Sequence, residues 1–262
     1  MKSNIKITVI TVTFRAEAVL QRTLDSVLAQ TYDNVEHLIV DGASTDGTLA
    51  LANAYRLTSD QAANGHEVVI VSEPDNGLYD AMNKGLHMAM GHYLVFLNAG
   101  DTLHSPDTLQ KVAEAADQEV MPAVVYGDTD VVDNEGRLLG KRHLRPPETL
   151  SWRSFRQGMT VCHQAFYALT DIARHTDYDL AYRYSADVDW CIRVMKEGER
   201  QKRPMANTHL TLVDYLKEGQ TTLHHRDSLK ERYRVMCHHY GTLSTIMMHV
   251  WFAFRQLFRK LS

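Results

Sequence analysis

An amide and a carboxylate stand three positions apart directly after an apolar run. Asn98 and Asp101 follow residues 93–97, which are all apolar or aromatic. A short apolar run bounded by turn residues is typical of a buried strand of a parallel sheet. Ligands of open α/β sheets bind just beyond the carboxyl ends of such strands. We therefore expect the two side chains where a ligand or metal ion would bind, although an ordinary polar turn gives the same pattern.

An acidic turn follows a predicted strand earlier in the chain. Residues 41–48 read D-G-A-S-T-D-G-T, so Asp41, Ser44 and Asp46 share one turn. An acid that closes a strand can bind a base or a ribose, and the N–H groups of such a turn can meet phosphate. Asp and Ser also cap helices, so a helix start without a ligand produces the same residues.

A third acidic segment, 73–85, carries Asp80 and Lys84 four residues apart. This spacing permits a surface ion pair on a helix, and it equally allows Lys84 to reach a diphosphate. Three consecutive loops with acids are thus predicted at one edge of a sheet. Carboxylates converge in this way when a divalent cation and its diphosphate offset their charge, and such oxygen ligands suit Mg²⁺ or Mn²⁺.

Alternating strands and helices are predicted to position these loops. Four apolar strands alternate with three helices over residues 5–97, which predicts an α/β fold with a parallel sheet of right-handed βαβ units. The second half is less regular. Its predicted strands are 123–126, 130–132 and 161–168, and its predicted helices start at 105–107 and cover 187–197, 228–240 and 244–261.

Composition restricts the classes of function. The 262 residues are 44% hydrophobic and 23% charged, as in a soluble globular protein. The net charge of −4 argues against a nucleic-acid partner. The 3 cysteines are widely spaced and form no C-x-x-C pair, which fits a reducing compartment. We predict no signal peptide and no spanning helix, and therefore a cytoplasmic protein.

Several short segments together resemble one known family. The sequence is similar to the family 2 glycosyltransferases of the bacterial exopolysaccharide, or colanic-acid, type. This resemblance implies a GT-A fold, which is a Rossmann-like, mostly parallel sheet with flanking helices, followed here by a C-terminal helical extension. The segments that carry the resemblance are 11–14 (T-V-T-F), 41–48, 73–85, 96–101 (F-L-N-A-G-D), 162–164 (C-H-Q) and 185–190 (S-A-D-V-D-W).

The resemblance also implies a division of the chain and a donor. Residues 1–220 would form the GT-A domain, with a nucleotide-sugar half at 1–103 and an acceptor half at 104–220, and 221–262 would form a helical tail. The donor would be a nucleotide diphosphate sugar. The residues that the resemblance assigns to its binding are Thr11, Thr13, Phe14, Arg15, Asp41, Ser44, Asp46, Asp75, Asp80, Asn83, Lys84, Asn98, Ala99 and Gly100.

The metal-binding motif of the family departs from its usual form. The D-x-D motif falls on Asn98, Ala99 and Gly100, so two of its usual acids are absent. Asp101 is left as the ligand for a divalent cation, Mg²⁺ or Mn²⁺. Some GT-A enzymes also use a late histidine as a metal ligand, which makes His224 a weaker candidate.

The second half supplies the candidate base. An inverting sugar transfer needs a carboxylate that takes a proton from the acceptor hydroxyl, and the family places it in an acid-rich motif that aligns with Asp187. Because residues i and i+2 diverge around a helix, Asp187 should face the site and Asp189 should turn away. Two acids in a first helical turn also occur without function. The resemblance assigns the acceptor side to His163, Gln164, Asp189 and Trp190.

The C-terminal residues 244–262 are predicted to form an amphipathic helix. Gln256 and Lys260 each fall within about 20° of His249 on a helical wheel, beside further basic residues. This is typical of a helix in a membrane interface, and equally of a terminal helix packed on the core or on a second subunit. Membrane contact at the inner face of the cytoplasmic membrane would suit the glycan or polyprenyl-diphosphate-linked acceptor that the resemblance suggests.

The combined prediction is an inverting glycosyltransferase of surface polysaccharide biosynthesis. One alternative is an inactive GT-A domain that only binds nucleotide or glycan, which the absent D-x-D acids would allow. The other is a sugar nucleotidyltransferase. That class needs a glycine-rich, basic loop after the first strand, and residues 13–17 contain no glycine.

Overall fold

Four parallel strands form the centre of the sheet in the computed structural model of the protein, which describes residues 4–217 and 225–261, without the side chains of 225–226 and 252–261. The strands are β1 (Ile7–Thr13), β2 (Val35–Asp41), β3 (Glu67–Ser72) and β4 (Tyr93–Phe96), connected by α1 (Glu17–Leu28), α2 (Thr48–Ala62) and α3 (Leu78–Met88). Their spatial order is β3-β2-β1-β4, and every neighbouring pair is parallel. The predicted βαβ series is confirmed.

The register of these strands brings their carboxyl ends to one edge. Thr13 pairs with Asp41, and Asp41 pairs with Ser72 on the next strand. Ile10 pairs with Phe96, so β4 ends beside the middle of β1 and the loop with Asn98 starts there. The three acidic loops therefore leave the sheet side by side, as the sequence predicts for parallel strands.

The second half extends the same sheet with mixed directions. It contributes β5 (Thr102–Leu103), β6 (Val124–Val132), β7 (Leu138–Lys141), β8 (Phe166–Leu169) and β9 (Met205–Leu216). Strand β8 pairs antiparallel with both β4 and β6, while β9 lies parallel to β6 and antiparallel to β5. Strand β7 forms a hairpin with β6.

The strand predictions for this half were partly wrong. Segments 123–126 and 130–132 belong to one strand that continues through Gly127, and segment 161–168 contains a 3-10 turn, His163–Ala165, before β8 begins. A Cβ on Gly127 would lie 2.5 Å from the carbonyl oxygen of Leu210, so this glycine serves the close approach of two strands rather than a turn. Strand β9 was not predicted, because most of its residues are only half-buried and its pattern does not alternate.

Within the described residues, five α-helices of the second half complete the fold. They are α4 (Thr108–Ala116), α5 (Thr170–Ala173), α6 (Ala186–Arg200), α7 (His225–Tyr240) and α8 (Thr242–Leu261). Helix α6 does not end at Gly198 as predicted. A Cβ at that position would collide with the side chain of Ala123, so Gly198 permits close packing inside the helix. The predicted C-terminal helical pair is present as α7 and α8.

An aromatic cluster anchors the start of α6 to the sheet. The Trp190 ring is fully buried and stacks on Tyr178 with centroids 5.0 Å apart. It also meets the edge of Phe96, the last residue of β4, at 5.7 Å. Aromatic pairs of this geometry add to the free energy of burial. The helix that carries Asp187 is therefore held directly against the strand that precedes Asn98.

Within the described ranges, no helix combines the length and the apolar character that a bilayer crossing requires. The predicted boundary between domain and tail, at residue 220, lies outside the described residues.

We predict that Gly127→Ala destabilises the protein by about 1–3 kcal/mol, because the added methyl group meets the β9 backbone, which cannot rotate away. Gly47→Ala is the matched control, since its Cβ would meet only the flexible carboxylate of Glu17. Urea unfolding of both variants measures the effect. Equal free energies of unfolding in the two variants would contradict this account of Gly127.

Candidate active site

The carboxylate of Asp41 connects the ends of three strands. Its Oδ1 accepts from Thr13 Oγ1 at 3.0 Å and from Ser44 Oγ at 2.5 Å, and its Oδ2 accepts from Ser44 N at 2.9 Å and from Ser72 Oγ at 2.7 Å. Burial alone would raise the pKa of Asp41, but these hydrogen bonds outweigh it and the pKa lies below its usual value. Asp41 therefore stays ionised and organises the loops.

Thr11 and Asp46 also have structural partners. Thr11 is fully buried, and its hydroxyl lies 3.0 Å from Nε2 of the buried His37. The prediction that Thr11 contacts the nucleotide was therefore wrong. Asp46 accepts from Thr48 Oγ1 at 2.6 Å and from Glu17 N at 3.3 Å, and these bonds, led by the one from Thr48, lower its pKa. Asp46 thus joins the loop after β1 to the start of α2.

Phe14 and Asp75 face each other across Gly42 at the sheet edge. The Phe14 side chain is 61% exposed, and the Arg15 guanidinium lies 5.4 Å from its ring centroid. A Cβ on Gly42 would clash with the Asp75 carboxylate and lie 3.3 Å from the Phe14 ring. Arg15 adopts a φ of 50° while its N–H donates to Ser44 Oγ at 2.9 Å. This edge presents an aromatic face, a cation and a carboxylate.

The acidic residues of segment 73–85 mainly shape their own loop. Asp75 accepts from Gly77 N at 2.8 Å, and Asp80 accepts from Asn76 N at 2.9 Å. Lys84 pairs with Glu73 at 2.8 Å rather than with Asp80, and the bond to Glu73 raises the lysine pKa. The Lys84 ammonium group therefore stays beside the loop that contains Glu73.

Asn83 joins this segment to the second half of the chain. Its Nδ2 donates to the Tyr178 carbonyl at 3.1 Å, and its Oδ1 accepts from Tyr178 N at 2.7 Å. The described contacts of Asn83 are thus structural, and its role in nucleotide binding stays a prediction. Asn83 holds Tyr178, the ring on which Trp190 stacks.

Segment 98–101 does not present Asp101 to a metal ion. The Asp101 carboxylate is 3% exposed; its Oδ1 accepts from Leu216 N and its Oδ2 from Gln164 Nε2, both at 2.8 Å. Burial raises its pKa to about 7 despite these bonds. A cation ligand must be ionised and accessible. Asp101 therefore does not fit the predicted role of metal ligand.

The residues before Asp101 are also closely packed. Gly100 has a φ of +99°, and a Cβ there would lie 2.8 Å from Leu216 Cδ2, while Ala99 is half-buried beside it. Within the part of the chain that the structure describes, Asn98 Oδ1 is buried and accepts no hydrogen bond. Of the side-chain oxygens in segment 98–101, it is the one that the described contacts leave unused.

Asp187 and Asp189 point in different directions, as predicted for i and i+2 on a helix. Asp187 is half-buried in the first turn of α6, and its Oδ1 accepts from Val188 N at 2.9 Å. Asp189 is buried, and its two oxygens bond Arg193 Nε and His239 Nε2, each at 2.7 Å. Asp189 is therefore a structural residue, and its assignment to the acceptor was wrong.

His163 and its predicted companions Gln164 and Trp190 are all buried. Burial lowers the His163 pKa, although the charge of Asp187 opposes this shift; its Nε2 has no hydrogen-bond partner among the described residues. Gln164 is buried between Asp101 and Cys162, whose Sγ lies 2.7 Å from its Oε1. Trp190 is fully buried. Neither Gln164 nor Trp190 can reach an acceptor.

Tyr79 is a site residue that the sequence analysis missed. Its hydroxyl donates a weak hydrogen bond to Asp187 Oδ1 at 3.4 Å, and its ring stacks on Tyr178 at 5.4 Å. Burial and the nearby Asp187 charge raise its pKa well above the usual value, so it remains a donor. Its position directly before Asp80, within a segment already chosen for function, could have indicated it.

Another group of possible metal ligands lies away from this cleft. His104, Asp130 and Asp214 each offer an atom within 4.8 Å of the others. These residues belong to β6, to β9 and to the turn after β5, at the opposite end of the strand order from β1, β2 and β3. The other predicted metal ligand, His224, lies outside the described residues.

A sheet of the GT-A type, with acidic loops at the carboxyl edge of its parallel strands and a separate carboxylate in the second half, is the organisation of a glycosyltransferase. The chain belongs to glycosyltransferase family 2, whose model, described as "Glycosyl transferase family 2", matches residues 8–172. A Mycobacterium tuberculosis protein named "PGL/p-HBAD biosynthesis glycosyltransferase" is 35% identical over 209 residues, which are 79% of this chain and 75% of that protein.

Solved structures support the same fold. A fragment of S. aureus TarS in complex with UDP-GlcNAc has a TM-score of 0.69 at 19% identity, over 88% of this chain and 64% of the fragment. This chain thus spans just under two thirds of the TarS fragment. The mannosyltransferase PcManGT of Pyrobaculum calidifontis, in complex with GDP-Man and Mn²⁺, has a TM-score of 0.57 at 17% identity, over 95% of this chain and 75% of that one.

We predict that Asp101 makes the protein less stable as pH rises. Its pKa is about 7 in the folded chain and about 3.8 unfolded, so folding favours the protonated form. That stability is complete below about pH 4 and declines as pH rises through about 7. Relative to Asp101→Asn, the wild-type free energy of unfolding should fall by up to about 4 kcal/mol across this range. A difference independent of pH would contradict this assignment.

Proposed function

We propose that the protein is an inverting glycosyltransferase that moves a sugar from a nucleotide diphosphate sugar to a glycan or polyprenyl-diphosphate-linked acceptor in surface polysaccharide biosynthesis. The observation that carries the proposal is the Asp187 carboxylate. It accepts a hydrogen bond from Tyr79 of the nucleotide half, and its charge acts on His163 of the second half. The names of similar proteins agree with this reading, since they include UDP-GlcNAc, GDP-Man and a glycolipid pathway.

The nucleotide binds at the carboxyl edge of the parallel strands in this proposal. The exposed Phe14 ring offers a face on which a base can stack, and Asp75 lies across Gly42 from it. The buried carboxylate of Asp41 keeps this edge in shape by binding Thr13, Ser44 and Ser72. Arg15 and Lys84 are the cations nearest the loops, and Lys84 can exchange its ion pair with Glu73 for the diphosphate.

Transfer takes place in one displacement at the anomeric carbon. The acceptor hydroxyl oxygen attacks this carbon, the bond to the diphosphate oxygen breaks, and the anomeric configuration inverts. Asp187 accepts the proton of the hydroxyl as the new glycosidic bond forms. Tyr79 donates to Oδ1, which leaves Oδ2 for the acceptor. The nucleoside diphosphate leaves with the electron pair of the broken bond.

A divalent cation on the donor diphosphate remains part of the proposal, supported by the Mn²⁺ in the PcManGT complex. Asp101 is excluded as its ligand because both of its oxygens are engaged inside the protein. A magnesium ion usually binds substrate phosphates together with only one or two protein ligands. Asn98 Oδ1 has no hydrogen-bond partner among the described residues, so it is the side-chain oxygen of this segment left for such a contact, and because it is buried the contact requires a rotation of the side chain.

The acceptor is proposed to reach the site from a membrane surface at the inner face of the cytoplasmic membrane. Helix α8 exposes one apolar stripe, hereafter the α8 stripe, whose members recur at helical spacing and are 45–74% exposed: Leu243, Ile246, Met247, Val250 and Trp251. The helical wheel groups His249 with the basic residues of the face expected at the membrane. In the structure, its ring instead contacts the Tyr233 ring of α7, with centroids 5.3 Å apart. The structure thus turns the apolar stripe outward.

We predict that Asp187→Asn lowers kcat by about 10²–10⁴-fold, the usual contribution of a general base, and leaves donor affinity within about twofold. Release of nucleoside diphosphate measures turnover across a panel of sugar nucleotides, and calorimetry measures donor affinity. Asp171→Asn, an exposed acid in the first turn of α5, is the matched control. Unchanged kcat in Asp187→Asn would overturn the proposed base, and no wild-type turnover with any donor would favour an inactive domain.

We predict that Met247→Ser with Trp251→Ser lowers binding to anionic lipid vesicles at least about tenfold, because two large apolar side chains lose their burial. Vesicle sedimentation measures binding, and Leu57→Ser, an exposed apolar residue on α2, is the control. A wild-type dimer that ignores vesicles and dissociates on the double substitution would show that a second copy covers the α8 stripe.

A further inference from the structure

One face of helix α7 lies against the residues that lead into Asp187. Ser228, Glu231, Val235 and His239 recur at spacings of three and four, which places them on one side of the helix. Ser228 and Val235 are buried, at 3% and 0% exposure. This face therefore packs against the chain rather than facing solvent.

Glu231 accepts three consecutive backbone N–H groups from the segment before α6. Its Oε1 accepts from Arg183 N at 3.0 Å, and its Oε2 accepts from Tyr184 N at 2.6 Å and Ser185 N at 3.2 Å. Hydrogen bonds to a carboxylate are shorter and stronger than those between neutral groups. One side chain thus fixes the path of three residues that end two positions before Asp187.

Helix α6 depends on this outside contact because its own N-terminal residue does not cap it. Ser185 occupies the N-cap position but makes no side-chain cap bond. Its hydroxyl instead donates to the carbonyl of Ser228 on α7, at 3.2 Å. A serine at this position normally accepts from the second or third N–H of its own helix. The start of α6 is therefore positioned from α7.

A second set of hydrogen bonds, made by His239, joins α7 to α6. His239 Nε2 lies 2.7 Å from Asp189 Oδ1, and His239 Nδ1 lies 3.0 Å from Lys196 Nζ. A lysine ammonium can only donate, so Nδ1 accepts from Lys196 and Nε2–H donates to Asp189. These two sets of hydrogen bonds lie on either side of Asp187. Glu231 holds the residues before it, and His239 holds Asp189, two positions after it.

We infer that α7 is a positioning element of the active site and that Glu231 sets the place of Asp187. The inference rests on the proposed role of Asp187 as the base. Displacing a catalytic group by about 1 Å can lower a rate about 10²-fold without touching the reacting atoms. Loss of Glu231 frees the 183–185 segment while the nucleotide edge, built from β1, β2 and β3, keeps all of its own hydrogen bonds.

The test compares Glu231→Ala and Glu231→Gln with Asp227→Asn in the full chain. Asp227 lies on the same helix, carries the same charge and pairs only with Lys230 among the described contacts. We expect Glu231→Ala to lower kcat about 10–100-fold with donor affinity within about twofold. Glu231→Gln should lose less, because its amide keeps one acceptor oxygen, and Asp227→Asn should match the wild type.

The outcomes separate positioning from plain stability and from the proposed base. A lower melting temperature with unchanged kcat at low temperature in both Glu231 variants would overturn the inference. Should Glu231→Ala fail to fold, Glu231→Gln decides alone, and a wild-type kcat in it overturns the inference. Loss of turnover in Asp187→Asn with full kcat in Glu231→Ala rejects only the role of Glu231. Full turnover in Asp187→Asn instead rejects the proposed base.

Discussion

The carboxylate of Asp41 is the interaction on which the nucleotide edge depends. A buried charge costs several kcal/mol unless hydrogen bonds replace its lost hydration. Here hydroxyl groups from β1, β3 and the loop after β2, together with one backbone N–H, surround both oxygens. The same bonds that keep the charge in place also align the three loops. The exposed Phe14 and the half-buried Asp75 are positioned on loops that this buried centre aligns.

Environment divides the acidic residues of this protein into different tasks. Asp41 and Asp189 are buried with enough donors to stay ionised, and their pKa values fall. Asp101 is buried with only two donors, and its pKa rises to about 7. Asp187 is half-buried, and the described hydrogen bonds engage only its Oδ1. The four aspartates thus have different tasks. Asp41 holds the loops and Asp189 links two helices, while Asp101 packs a turn and Asp187 is the proposed base.

The sequence predicted the first half well because its signals are local. Each parallel strand there is a short apolar run, each crossover is an amphipathic helix, and register alone brings Thr13, Asp41 and Ser72 together. The second half is held by contacts between distant segments. Gly127 resembles a turn residue until β9 approaches it, and Gly198 resembles a helix end until Ala123 packs on it. Neither partner is visible from the local pattern.

The candidate site shows the same division. Residue types and spacing were enough to indicate the family, the acidic strand ends, and the divergence of Asp187 from Asp189, because helix and strand periodicity decide these. Only the tertiary structure decided which polar groups remain available to a ligand. Asp101, Asn83 and Gln164 have the right chemistry, but partners far away in the chain occupy their hydrogen-bonding atoms. Tyr79 and Glu231 gain their importance only because folding brings α3 and α7 to the start of α6.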